Sequence, residues 1–86
     1  MALYEIELKH NDTECLRNLD ELVAKDNLNK FYLGCESGIH AGWATIEAAT
    51  ETDALKIVPE FERSRATIAK VSKLTPERVK QIHSMR

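Results

Sequence analysis

A chain of 86 residues with 12 Lys and Arg against 14 Asp and Glu has room for one domain with a modest core, and its interspersed charges leave no basic stripe for a phosphate backbone. The opening Met1-Ala2-Leu3-Tyr4-Glu5-Ile6-Glu7 lacks the basic and apolar segments of a secretory leader, and no apolar run approaches a bilayer span. The composition therefore predicts a soluble cytoplasmic protein with no nucleic-acid or membrane partner, whose two cysteines are thiols rather than a structural disulfide.

In chain order, Tyr4, Ile6 and Leu8 alternate with Leu3, Glu5 and Glu7, the period-two pattern of a half-buried strand. Asn11 or Asp12 can then cap a helix, with Glu14 as the far half of a capping box around Asn11. Leu16, Leu19, Leu22 and Val23 recur at helical spacing with Cys15 on the same side, and the pattern fades at Asp26-Asn27. Residues Phe31 to Cys35 read as a second strand, Glu36 to Ile39 as a turn, and His40 to Ala48 as a third strand with Gly42, Ala44, Ile46 and Ala48 on one face. Thr50 and Asp53 open a second helix that Pro59 interrupts, with a further turn from Glu60 to Arg63. Thr67 to Lys73 is the expected fourth strand. Thr75 caps a last helix with Pro76 at its first position and Leu74 and Val79 placed as a hydrophobic staple.

This order predicts a single α+β domain over residues 1–86: a ferredoxin-like βαββαβ fold with a four-stranded antiparallel sheet, spatial order 4-1-3-2, and an added C-terminal helix. Both helices of such a fold cover one sheet face. The other face, with Leu3, Trp43 and Val71 on it, needs the last helix, a ligand or a second subunit, and a homodimer through the open sheet face is the expectation.

Two short segments mirror each other. His10 and Cys15 are separated by four residues, as are Cys35 and His40, and imidazole and thiolate are ligands that zinc and related transition metals prefer. In the expected topology the ends of the first and second strands and the start of the third share one edge of the sheet. His10, Cys35 and His40 then have the parity of the helix-covered face, and Cys15 lies in the first turn of the helix beginning at that edge. The sequence thus predicts one Cys2His2 site, His10, Cys15, Cys35 and His40, holding zinc or another transition metal.

The run Gly34-Cys35-Glu36-Ser37-Gly38-Ile39-His40-Ala41-Gly42-Trp43, with Glu14-Cys15-Leu16, Leu74-Thr75-Pro76-Glu77 and His83, resembles a group of small uncharacterised bacterial and archaeal proteins. The likeness covers most of the chain and implies its domain boundaries and hairpin, with no activity attached. At the level of fold the chain is similar to dimeric α/β-barrel proteins, which include monooxygenases, isomerases and binding modules, so that resemblance does not choose an activity.

Other readings stand beside the metal site. Cysteine is among the most buried residue types, so Cys15 and Cys35 as packing residues in an interaction or ligand-binding module is the alternative. A redox pair is a third: the helix start favours a Cys15 thiolate, but Asp12 and Glu14 oppose it and no C-x-x-C motif is present. His83 reads as a helix-terminal cation, and Trp43 with Glu5 and Glu7 as a ligand pocket or a covered face, the ligand unknown. Nothing in the chain forms a hydrolase triad or a phosphate-cradling glycine loop, so no reaction is assigned.

Overall fold

Alternation in the first segment becomes strand β1 (Ala2–Lys9), which buries Tyr4, Ile6 and Leu8 on one face and leaves Leu3, Glu5 and Glu7 on the other. A computed structural model describes Met1–Met85 and sets β1 at the centre of the sheet. Strand β2 (Tyr32–Leu33) pairs with β3 (Ala41–Ala48), β3 with β1, and β1 with β4 (Thr67–Val71), every pair antiparallel, in the order β2-β3-β1-β4. The register sets Ile6 between Ala44 and Ile68, and Leu8 opposite Gly42. Small residues at 42, 44 and 48 let the covering segments approach this face closely.

Three α-helices are present among the described residues: α1 (Cys15–Ala24), α2 (Glu51–Leu55) and α3 (Pro76–Ser84). The core joins Tyr4, Ile6, Leu8, Ala44 and Ala48 of the sheet to Leu22 of α1, Ala54 of α2, Phe31 and Val58. Helix α1 turns Asn18 and Leu22 inward and leaves Leu16 74% and Val23 61% exposed, so the expected apolar stripe is corrected. At 100° per residue the inward line is Cys15, Asn18, Leu19 and Leu22, and Leu16 and Val23 fall off its edge.

The caps follow the sequence in chemistry more than in position. Glu14 N–H donates to Asn11 Oδ1 at 3.0 Å and Asn11 N–H donates to Glu14 Oε1 at 3.3 Å, the reciprocal bonds of a capping box. They enclose the turn before α1, and the helix itself starts at Cys15. At its other end Asp26 takes the left-handed conformation at φ 57°, while Asp26 N–H bonds Val23 O and Asn27 N–H bonds Leu22 O, a Schellman closure. Thr50 Oγ1 accepts from Asp53 N–H and Thr75 Oγ1 from Arg78 N–H, both at 3.1 Å, which fixes the starts of α2 and α3 where expected.

Two expectations are corrected at the ends of strands. The second strand stops at Leu33, and Cys35–Ser37 is a 3-10 turn, because Gly34 O accepts from both Ser37 N–H and Ile39 N–H and so pulls the chain out of the ladder. The fourth strand ends at Val71, opposite Leu3, two residues short of the expected Lys73.

Helix α3 buries none of its residues, and Leu74 and Val79 remain 59% and 41% exposed. The radius of gyration is 15.6 Å and the longest dimension 49 Å. A compact domain of this length has a radius of about 12 Å, so α3 is an arm beside the body of the fold. Among the described residues no helix is long and apolar enough to cross a membrane.

Candidate metal centre

The last rung of the β1–β3 register pairs Lys9 with Ala41, and one step further His10 N–H donates to His40 O at 3.1 Å. The two histidines are therefore held side by side by backbone, on the face of Leu8 and Gly42, with ring centroids 5.7 Å apart and planes at 60°. Cys35 reaches the same place from the 3-10 turn. Gly34 N–H remains bonded to Ala41 O at 2.9 Å, so the turn hangs from the start of β3. A Cβ at Gly34 would lie 2.8 Å from the Ile39 carbonyl oxygen, and Gly38 closes the turn at φ 82°, a conformation that favours glycine. Cys15, the first residue of α1, completes the group from the inward line of the helix.

The ligand atoms of His10, Cys15, Cys35 and His40 all lie within 4.8 Å of one another. Cys35 Sγ is 3.7 Å from His10 Nε2. A tetrahedron drawn on Zn–S of about 2.3 Å and Zn–N of about 2.0–2.1 Å has edges of about 3.3–3.8 Å, so the group needs only a slight contraction to close on one ion. Both cysteines are free thiols, His10 is buried, and Cys15, Cys35 and His40 are half-buried.

Behind the four lies a second layer. Glu62 and the His10 side chain are wholly out of solvent, with Glu62 Oε2 3.9 Å from His10 Nδ1, and Asn18 Nδ2 donates to Glu62 Oε1 at 2.5 Å. His10 thus turns Nε2 toward Cys35 and Nδ1 toward a carboxylate, the orientation that second-layer carboxylates impose on metal-bound imidazoles. Among the described residues, His10 Nδ1, Glu62 Oε2, Asn18 Oδ1 and His40 Nδ1 are buried and without hydrogen-bond partners. Such a cluster of unpaired polar atoms is costly in a closed interior unless something charged organises it.

The electrostatics suit a cation. Burial, then the neighbouring His40, holds the His10 imidazole below its usual range and so neutral and able to ligate. Burial pushes the Glu62 carboxyl up against the opposing hydrogen bond from Asn18. Burial first, then the adjacent Cys15 thiol, raises the Cys35 thiol. At the rim Arg65 grips Glu14 with both terminal nitrogens, at 2.7 and 2.9 Å, and this bond holds the Glu14 carboxyl below its ordinary range. The grip joins the entrance of α1 to the Glu60–Arg65 segment that carries Glu62.

All four residues named from the sequence are therefore brought together. The parity argument placed His10 and His40; Cys35 arrives by the turn instead of as a strand residue. His83 stands in α3, apart from this group, and Trp43 is engaged on the opposite sheet face, donating to Glu7 Oε2 at 3.0 Å. Asn18 and Glu62 were missed. Asn18 had a signal, a polar residue three positions after Cys15 and four before Leu22 on one helix line. Glu62 had none, because its segment alternates in charge as a solvated turn does.

Two thiolates and two imidazoles make a closed set that leaves no open position for a substrate, the pattern of structural zinc sites. Comparison with protein-family models, curated proteins and solved structures finds no match to this chain, so the chemistry of the site is read from its own residues.

Proposed function

We propose that the protein is a small metal-binding domain that holds one zinc ion through His10, Cys15, Cys35 and His40. The observation that carries the proposal is the convergence of two Sγ and two imidazole nitrogens within 4.8 Å, backed by a buried carboxylate facing His10 Nδ1. The ion ties the end of β1, the start of α1 and the β2–β3 connection into one unit, which a domain of this size gains from. The sheet order β2-β3-β1-β4, read from its other edge, is 4-1-3-2, and this supports assigning the fold to the ferredoxin-like class with α3 added.

Elemental analysis of protein purified without an affinity tag tests the reading. One equivalent of zinc in the wild type, lost in Cys35→Ser and in His40→Ala, is the expected result. A wild type that takes up no added zinc, nickel, cobalt or copper at stoichiometric level overturns it and leaves the cysteines as packing residues.

A further inference from the structure

The sheet face away from the core carries Leu3, Glu5, Glu7, Trp43, Glu47 and Val71, set together by the registers of β1 with β3 and β4. Its apolar residues are only partly shielded: Leu3 is 38% exposed and Trp43 and Val71 half-buried. Three carboxylates stand among them. Glu7 accepts from Trp43 Nε1 and lies 3.6 Å from Lys9 Nζ at the sheet end, and Glu5 accepts from Thr45 Oγ1; among the described residues neither Glu5 nor Glu47 forms an ion pair.

Helix α3 has the complementary surface. At 100° per residue Val79 and Ile82 form one narrow apolar line flanked by Arg78 and His83, with Glu77 on the opposite side, and Lys73 precedes the helix. The lengths agree as well: nine helical residues span about 13 Å, and β1 from Leu3 to Glu7 spans about 13 Å. Yet α3 stands away from its own sheet, with none of its residues fully buried and Ile82 only partly shielded.

We infer that α3 is a dimerisation arm, which lays Val79 and Ile82 on the Leu3, Trp43 and Val71 face of a second copy of the chain and sets Arg78 and His83 against its carboxylates. Each copy offers one arm and one face, so a reciprocal twofold exchange satisfies both and closes the assembly at two. Direct packing of sheet on sheet would instead bring Glu5, Glu7 and Glu47 of both copies together, a like-charge arrangement that interfaces avoid. The inference is independent of the metal site, which lies on the other side of the sheet.

Charge exchange with sedimentation at micromolar concentration provides the test, after far-UV circular dichroism has shown each variant folded. The wild type is expected to be a dimer. Glu5→Lys with Glu47→Lys, and separately Arg78→Glu with His83→Glu, should each weaken self-association by about 100-fold, the scale of like-charge juxtaposition across an interface. An equal mixture of the two variants should restore a dimer, since each arm then meets a face of opposite sign. Ile82→Asp, outside the core, should also yield a monomer. A wild type that sediments as a monomer overturns the inference, as does a dimer that Ile82→Asp leaves intact or a mixture that fails to reassociate.

Discussion

Glu62 accepts one hydrogen bond from Asn18 and turns its other oxygen, unpartnered, toward the ring nitrogen of His10 that faces away from Cys35. A carboxylate in that position fixes the imidazole and raises its basicity when a metal is bound. Glu62→Gln keeps an oxygen for Asn18 but loses the anionic acceptor for His10. We predict a zinc affinity about 10–100-fold lower, measured by competition with a chromophoric chelator, with the far-UV spectrum unchanged. An unaltered affinity would mean that the buried carboxylate does not act on the ligand. Protons provide a second test at this scale. The Cys35 thiol is raised by burial and by Cys15, so metal must displace protons from sulfur, and zinc affinity should rise with pH through the neutral range while binding acidifies a weakly buffered solution. The convergence of the four residues was legible because His and Cys are few and symmetrically spaced. Glu62 was not, because a buried carboxylate and a solvated one are the same letter, and only the fold of the Glu60–Arg65 segment distinguishes them.

Local stereochemistry decides where elements stop. Gly34 ends β2 because its carbonyl takes two turn hydrogen bonds, and a side chain there would meet the Ile39 carbonyl at 2.8 Å. Gly34→Ala should therefore destabilise the protein by about 1–3 kcal/mol, as overpacking of tight sites does, and weaken metal binding by displacing Cys35. Denaturant melts read the first effect and zinc titration the second. Asp26 offers the opposite case. It holds the left-handed position of the α1 closure without being glycine, and Asp26→Gly should stabilise by about 1 kcal/mol by relieving that strain, seen as a higher denaturation midpoint. Strands β1 and β3 and the caps at Thr50 and Thr75 were readable, since alternation and side-chain capping are encoded within a few residues. The short β2 was not, because Phe31 to Cys35 alternates like a strand while the Gly34 carbonyl turns to the amides of Ser37 and Ile39. The exposure of Leu16 and Val23 escaped for a related reason: an apolar set five to eight residues wide does not say which edge of it faces the sheet.

Across the whole molecule, a metal held at this site would tie together the end of β1, the start of α1 and the β2–β3 connection. Beside the core residue Leu8 and the buried Ala41, this end of the sheet also buries the polar groups of His10, Asn18 and Glu62. Zinc at 100 times its dissociation constant adds about 2.7 kcal/mol to the stability of a protein that binds it only when folded. For a domain of this size that corresponds to a rise in melting temperature of about 10–20 °C, to be reversed by a chelator in differential scanning calorimetry. A melting temperature indifferent to both zinc and chelator would place any ion outside the folded site. Topology was legible at this scale in the order of strands, whereas the detachment of α3 was not, because its apolar line at Val79 and Ile82 fits an internal partner as well as an external one. The most direct test of the centre is zinc X-ray absorption on untagged protein loaded with one equivalent. Two sulfurs at about 2.3 Å and two imidazole nitrogens at about 2.0–2.1 Å are expected, whereas a shell of oxygen or of nitrogen alone would contradict the Cys2His2 assignment.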